Sequence, residues 1–444
     1  MSYYLILMLK PICIVCGTTG AGKSDLAVQL AKKFGTEVIN ADSMQVYRGF
    51  DTITNKISHE EQENVTHHLM SFLNYDQEYS VPNFEKDARR IIDGLHAQGK
   101  VPILVGGTNY YLQSLLFEDS TLSSIDPPLS HKVKHPDEGI LNDENADLMF
   151  PYLQKVDPLM AERWHPRDVR KIRRSLEIYF HTGKRPSDIY KEQSSIKKSK
   201  LKYKTLLFWA NAENDVLMPR LDTRVDKMLH QGLMNEIQSM KSVINENGFT
   251  PDLTRGIWQC IGFKEFEPWF QNSSQETFQA CLDKMKISTK QYAKYQKKWI
   301  LNRLLPLCVS EQKLRPSSIL FSVANTTNLQ KWHEQVERSC NVFSCFFNNQ
   351  KLPPMTEEEQ GVLEKVKKTL LTQDKDTFST KFTCDVCLDK TGHPFVAIGE
   401  DAWQTHLQSR KHKMTVRRMK ERATRQERIE AAKKAAMERR KETA

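Results

Sequence analysis

Eight residues near the start of the chain limit its architecture more than any other feature. Gly17-Thr18-Thr19-Gly20-Ala21-Gly22-Lys23-Ser24 has the form G-x-x-x-x-G-K-[ST]. The spacing is meaningful between a strand and a helix: the glycines let the backbone curl, so that successive N–H groups and a helix N-terminus converge on phosphate oxygens. Both flanks are present. Residues 11–16 form a continuous apolar run that reads as a buried strand. Leu26, Ala27, Leu30, Ala31 and Phe34 then recur at helical spacing. Lys23 adds a point charge to the cradle, and the Ser24 hydroxyl suits Mg²⁺. The motif specifies phosphate without specifying which phosphate.

Further strands are expected at 37–41, 101–105 and 206–210, with a helix at 84–96. Strands alternating with helices predict an α/β fold with a parallel P-loop sheet. The stretch between the third and fourth strands is too long for a loop and reads as an inserted helical domain. With 444 residues, room exists for two or three domains. The expected division is 1–115, first part of the P-loop core; 116–200, a mainly helical insert; 201–330, second part of the core with helices; 331–380, a linker; 381–413, a zinc finger of C2H2 type; 414–444, a basic helical tail. The apolar stretch Tyr3 to Leu9 is far shorter than a bilayer span, and no later run reaches about 18 apolar residues, so a transmembrane protein is excluded.

A nucleotide-hydrolysing or kinase P-loop protein needs an acidic metal residue at the end of a later strand. Here the third strand ends Leu104-Val105-Gly106-Gly107-Thr108. Asp42, after the second strand, is the better-placed carboxylate, at the sheet edge where α/β ligands bind. A small-molecule kinase with an appended finger remains an alternative, and so does a non-catalytic RNA-binding factor. The first requires ATP consumption; the second sits poorly with an intact Lys23 and Ser24.

Charge points to a polyanion. The chain carries 65 Lys+Arg against 55 Asp+Glu, a net +10, and the tail from 414 to 444 alone holds 11 Lys/Arg and 5 Glu, a net +6. Cys384-x2-Cys387, 18 intervening residues and His406-x5-His412 have the ligand types and end spacings of a structural Zn²⁺ site. Phe382, Phe395, Trp403 and Leu407 can form its small core. Cys13 and Cys16 also make a C-x2-C pair, but inside a strand and without a partner pair. The cysteines are expected to be reduced, since no secretory leader is recognisable.

Taken together, the motifs resemble the tRNA dimethylallyltransferases, in their finger-bearing eukaryotic branch. The resemblance rests on Gly17 to Ser24, Ile39-Asn40-Ala41-Asp42-Ser43-Met44-Gln45-Val46-Tyr47, His67-His68-Leu69, Tyr79-Ser80-Val81 and Gly106-Gly107-Thr108-Asn109-Tyr110-Tyr111. It continues through Arg170-Lys171-Ile172-Arg173-Arg174, His181-Thr182-Gly183-Lys184-Arg185-Pro186-Ser187 and Gln259-Cys260-Ile261-Gly262-Phe263-Lys264-Glu265. It implies transfer of a dimethylallyl group from dimethylallyl diphosphate to N6 of adenine 37 in the anticodon stem-loop of tRNA. Asp42 is then the expected general base. Gly17, Thr18, Thr19, Gly20, Ala21, Gly22, Lys23, Ser24, Arg220 and Arg224 are expected around the diphosphate, with Thr19 donating to its bridging oxygen and Ser24 on Mg²⁺. Asp42, Ser43, Met44, Gln45 and Thr108 are expected at the flipped base. Arg170, Lys171, Ile172, Arg173, Arg174 and Ser187 are expected along the RNA, and Cys384, Cys387, His406 and His412 on Zn²⁺. Thr289 to Asn302 departs from the family pattern T-R-x-Y-A-x-x-Q-x-x-W: Lys290 stands where arginine is usual, and Tyr295 where a basic residue often stands. The expected protein is a monomer that touches no membrane and acts in the cytoplasm, with mitochondrial and nuclear pools open.

Overall fold

The computed structural model describes residues 9–118, 137–141, 146–195, 201–373, 381–389 and 392–442. The stretch Tyr3 to Leu9, except its last residue, and several parts of the expected insert lie outside these. The chain divides into two compact units, Met1–Ile125 with Ile196–Gln373, and Asp126–Ser195 with Asp374–Ala444.

The first unit is built on a six-stranded parallel sheet in the order β3-β2-β4-β1-β5-β6. Its strands are β1 (Pro11–Gly17), β2 (Val38–Asn40), β3 (His67–His68), β4 (Ile103–Gly106), β5 (Lys204–Asn211) and β6 (Ile319–Asn325). β1 is central, pairing Cys13 with Ile103 on one side and Leu206 on the other. This double pairing explains its unbroken apolar run: a strand covered on both faces has no solvent side to make polar. Because side chains alternate along a strand, Ile12, Ile14 and Cys16 enter one core and Cys13 and Val15 the other. The two thiols therefore face opposite sides of the sheet, which rules them out as joint metal ligands.

Helix α1 (Lys23–Phe34) follows the phosphate loop, α2 (Val81–Ala97) leads into β4, and α3 (Asn109–Leu116) leaves it. In α1, Leu26, Ala27, Leu30 and Ala31 are buried on the face the sequence periodicity picks out.

The region 331–380 is not the expected linker over its described part. After β6 come two further helices, numbered below in chain order as α13 (Trp332–Phe347) and α14 (Glu357–Gln373). The first buries Val342, Phe343 and Phe346 against the α1 side of the sheet. The second buries Val362 and Val366 in the opposite core. Each such side chain contributes roughly 1.5–3 kcal/mol on burial, enough to hold a helix whose outer face is Lys- and Glu-rich. Glu359 anchors the second: at 3% exposed, it accepts from Ser322 Oγ (2.5 Å), Val323 N (3.1 Å), Thr356 N (2.8 Å) and Arg338 Nη2 (3.0 Å).

The second unit contains α4 (Ala146–Val156), α5 (Pro158–Arg163), α6 (Val169–Thr182) and α7 (Pro186–Ser195). Met149, Leu153, Met160, Ile172, Leu176 and Phe180 form their core. Asp157, fully buried, caps α5 through Met160 N (3.1 Å) and accepts from Ser187 N (2.8 Å), so one carboxylate ties two helix starts. The same unit holds the antiparallel pair β7 (Lys381–Leu388) and β8 (Pro394–Ile398). Two late helices close it, numbered α15 (Glu400–Gln408) and α16 (Arg410–Glu442). The last has 33 residues, about 50 Å at 1.5 Å per residue.

Between β5 and β6, in the first unit, run α8 (Asn214–His230), α9 (Leu233–Asn247), α10 (Glu267–Gln271), α11 (Gln275–Trp299) and α12 (Leu305–Leu314). A π turn at Ile300–Leu304 joins the last two.

Candidate active site

The carboxyl ends of β1, β2 and β4 open onto a cavity of about 1180 Å³. Thr19, Gly20, Gly22, Lys23, Ser24, Asp42, Ser43, Met44, Gln45, Arg220 and Arg224 all line it. Most of the expected diphosphate residues and the expected base thus share one chamber, while Gly17, Thr18 and Ala21 are not part of its lining. Gly17 begins the loop where a Cβ would stand 2.3 Å from the carbonyl oxygen of Ala210, so only glycine allows β1 to pass that close to β5.

Lys23 Nζ donates to Thr18 O at 2.7 Å. Burial, offset in part by the Asp42 charge, lowers its pKa to about 8. An ammonium destabilised in this way gains from any anion that arrives in the cavity it lines.

Asp42 sits just past β2 on a backbone fixed by Asn40, whose Oδ1 accepts from Asp42 N (3.0 Å) and whose Nδ2 donates to Asp42 O (3.1 Å) and Leu69 O (2.9 Å). Asp42 Oδ1 accepts from Met44 N at 3.0 Å. That leaves Oδ2, which lies 3.7 Å from where a Cβ on Gly107 would stand. Burial raises the Asp42 pKa, against opposing pulls from the Met44 N–H, Lys23 and Arg224. Raised basicity, with one oxygen uncommitted to the local backbone, is what a proton acceptor needs. Thr108 stands at the N-cap position of α3 but makes no cap bond; its hydroxyl accepts from Ser43 N (3.0 Å) and reaches Ser43 Oγ (3.2 Å). Gln45 donates to Thr54 O (3.3 Å) and Asn55 O (3.0 Å) at the cavity wall.

Arg220 and Arg224 share one face of α8, four residues apart, and have different partners. Arg220 donates to Thr326 O (3.0 Å) and Gly20 O (3.5 Å), both backbone carbonyls. Arg224 Nη1 donates to Thr19 Oγ1 at 2.8 Å, and burial lowers its pKa to about 10. The acids between and beyond them face α11: Asp222 pairs with Lys290 (2.7 Å) and Asp226 with Lys286 (2.6 Å). Lys290 is thus a helix–helix tie, and no phosphate clamp is needed to account for it.

One residue of this chamber escaped the sequence reading. Gln296, 1% exposed, accepts from Thr19 N through Oε1 (2.8 Å) and donates to Gly107 O through Nε2 (3.1 Å). A Cβ on residue 107 would stand 2.3 Å from that amide nitrogen, so Gly107 makes room for it. The signal was present: Leu282, Met285, Ala293 and Trp299 form the buried face of α11, and Gln296 is the polar residue on it.

In the second unit the expected RNA residues separate. Arg170 and Lys171 are exposed on α6, and Arg174 is half-buried beside Glu177 (3.2 Å). Ile172, at 1% exposed, belongs to the helical core, Arg173 is buried, and Ser187 is buried behind Asp157. A helix that docks on a core cannot show five consecutive side chains to a ligand, so contact through the side chains of Ile172 and Ser187 is not available.

Cys384, Cys387, His406 and His412 come together, with one ligand atom of each within 4.8 Å of the others. His412 Nδ1 lies 3.6 Å from Cys384 Sγ and 3.4 Å from Cys387 Sγ. Tetrahedral Zn²⁺ with bonds of about 2.3 Å to sulfur and 2.0 Å to nitrogen separates such atoms by roughly 3.5 Å. His406 Nε2 is buried without a hydrogen-bond partner, and its ring stacks on Phe395 at 4.0 Å. The donor set therefore fits zinc.

A family model described as IPP transferase matches residues 45–303, and one described as isopentenyl transferase matches residues 10–71. The chain is 62% identical to the tRNA dimethylallyltransferase of Schizosaccharomyces pombe over 95% of its own length and 98% of that protein. It is 38% identical to the Saccharomyces cerevisiae protein of that name, over 93% of each, and 33% identical to the human one, over 90% of this chain and 85% of the other. A solved structure described as a eukaryotic dimethylallyltransferase acting on tRNA matches with a TM-score of 0.77 and 37% identity, covering 94% of this chain and 99% of that one. Among the described residues, no helix is long and apolar enough to cross a membrane.

Proposed function

The chain belongs to the tRNA dimethylallyltransferases, and on that premise we propose that it moves a dimethylallyl group from dimethylallyl diphosphate to N6 of adenine 37, beside the anticodon. It is an enzyme, and isopentenyl transfer to tRNA is its reaction. The observation that carries the finer reading is the meeting of Asp42 with the phosphate loop in one cavity, whose lining also holds the hydrogen-bonded pair Arg224 and Thr19.

The N6 lone pair of adenine is delocalised into the ring, so the amine is a weak nucleophile. Asp42 accepts one N6 proton as the N6–C1 bond forms; the C1–O bond breaks, and its electron pair leaves with the bridging oxygen of the diphosphate. Negative charge then grows on that oxygen. Thr19 Oγ1 already accepts from Arg224, which leaves its own hydrogen to donate there. Lys23 and the loop N–H groups take the remaining phosphate oxygens. Ser24 supplies a hard oxygen donor in the cavity lining, which suits Mg²⁺. Mg²⁺ when bound supplies further charge for the leaving diphosphate. No ATP is consumed.

The adenine has to leave the anticodon-loop stack to reach Asp42. Ser43, Met44 and Gln45 line its approach, with Thr108 holding Ser43 in place, and Arg170, Lys171 and Arg174 supply positive charge for RNA phosphates. The finger is a structural Zn²⁺ site that adds grip on the tRNA outside the loop, with the basic tail. One chain carries both the loop and the base, so a monomer suffices; the cytoplasm is its expected compartment, with mitochondrial and nuclear pools open.

The test is incubation of the protein with Mg²⁺, labelled dimethylallyl diphosphate and an anticodon stem-loop carrying A36-A37-A38. Label on N6 of A37 without ATP is expected. Label on another atom, or none alongside ATP hydrolysis, overturns the reading.

A further inference from the structure

The second unit joins two segments far apart in the chain, the helices of 146–195 and the Cys/His segment. Three contacts join them. Arg167 Nη1 pairs with Asp389 Oδ2 at 2.6 Å. Lys381 Nζ stands 4.7 Å from the centroid of the Phe150 ring and 3.9 Å from Glu162 Oε1. The Lys381 side chain is only 12% exposed, an unusual state for lysine unless something covers it.

Both finger residues are placed by the fold of the finger itself. Lys381 opens β7, paired with Ile398 of β8. Asp389 follows the Cys384–Cys387 knuckle, and its Oδ1 accepts from His393 N (3.1 Å), which closes the turn between the strands. Closing the knuckle around a metal therefore also fixes the carboxylate that meets Arg167. On the insert side, Arg167 lies between α5 and α6, one residue before Asp168, the N-cap of α6, whose side chain accepts from Lys171 N (3.3 Å). The docked pair thus sits at the start of the helix that carries Arg170, Lys171 and Arg174.

We propose that the finger and the insert act as one RNA-gripping body, with Asp389–Arg167 as the positioning pair that sets the finger on the insert and Lys381 as the second point of attachment. The ligand this body fits is the phosphate backbone of a folded RNA, held by the exposed α6 cations and the finger together. This rests on the reading above that the insert and finger contact tRNA. Two contact points fix an orientation where one leaves a swivel, so the finger's cations keep a fixed offset from those of α6.

The experiment uses charge reversal in the full-length, zinc-loaded protein: Arg167→Asp, Asp389→Arg, the milder Asp389→Asn and the double reversal. Zinc content per chain is measured for each, and KM for full-length tRNA is read separately from kcat. Asp389→Arg adds two positive charges' worth of difference beside a polyanion, and bare electrostatics would tighten binding. Docking predicts the opposite sign. KM for tRNA should rise about five-fold in Asp389→Arg and in Arg167→Asp, in keeping with a partly exposed ion pair. It should rise less in Asp389→Asn, and return to within about two-fold of wild type in the double reversal. Tighter or unchanged binding in Asp389→Arg with zinc retained overturns the docking, and so does a double variant as weak as the worse single. If replacing Arg170 and Lys171 by Ala also leaves KM for tRNA unchanged, the RNA-contact reading itself fails, which is a separate result. Should Asp389→Arg lose zinc, Arg167→Asp and Asp389→Asn still decide the matter, since a KM unmoved in both overturns the proposal.

Discussion

Arg224 donates to the hydroxyl oxygen of Thr19 at 2.8 Å, from a helix that begins almost 200 residues after the phosphate loop. This bond gives Thr19 its direction: an oxygen that accepts from a guanidinium turns its hydrogen elsewhere, and the elsewhere is the cavity. It also brings an arginine charge to the place where a leaving diphosphate would gather electrons.

Arg224→Ala is therefore expected to lower kcat/KM for dimethylallyl diphosphate about 10²–10³-fold, the range for losing one preorganised donor at a developing oxyanion. Arg224→Lys should recover only part of this, since an ammonium offers no planar fork. Steady-state kinetics with saturating tRNA measure both. Arg220, which faces backbone carbonyls, should affect heat stability more than turnover.

Gln296 links the two walls of the chamber through a single amide, Thr19 N on one side and Gly107 O on the other. Gln296→Ala strands both backbone groups, at about 1–3 kcal/mol each when buried. Gln296→Glu keeps the acceptor for Thr19 but sets a carboxylate against the Gly107 carbonyl and near the departing diphosphate. We expect kcat to fall at least ten-fold in both, with Gln296→Glu the slower at equal stability. Thermal melts alongside kinetics separate the two effects.

The pH profile follows from two opposite burial effects. Burial favours the neutral amine of Lys23, so it carries its charge below about 8 and loses it above. Burial also favours the neutral acid of Asp42, so the carboxylate that must accept a proton forms at higher pH than an ordinary aspartate. kcat/KM should be bell-shaped, with the acid limb above the usual carboxylate range and the basic limb near 8. Lys23→Arg should lower the plateau and remove the basic limb, because the guanidinium stays charged. A basic limb that persists unchanged in Lys23→Arg assigns it to another group.

Glu359 tests the part of the fold that was least expected. Removing it leaves Arg338 and three donors facing a buried gap. Glu359→Ala should cost about 3–5 kcal/mol, read by urea unfolding, with KM for dimethylallyl diphosphate little changed in the folded protein. A loss under 1 kcal/mol would mean that α14 is not integral to the first unit.

What the sequence disclosed follows from the range of the interactions involved. β1, α1, β2 and β4 announce themselves because a central strand is apolar on both faces and its helix repeats at i, i+3 and i+4; the phosphate loop and Asp42 come with them. α14 was hidden because two or three apolar residues suffice once a sheet is there to receive them, and its Lys/Glu-rich outer face dominates the composition. Arg170 to Arg174 read as a basic run, but at 3.6 residues per turn Ile172 has to turn inward. The periodicity of α11 puts Gln296 on a buried face, but its partners, and the Arg167–Asp389 pair, lie across 277 and 222 positions, which no local pattern reports.

The most direct test of the account is single-turnover transfer by Asp42→Ala and Asp42→Asn at saturating tRNA and dimethylallyl diphosphate. Loss of a positioned general base predicts a rate at least 10²-fold below wild type in both, with the Arg224–Thr19 side of the site intact and KM for dimethylallyl diphosphate within about three-fold. A single-turnover rate within a few-fold of wild type in Asp42→Asn would contradict it, and would take the proton from adenine N6 to some other group.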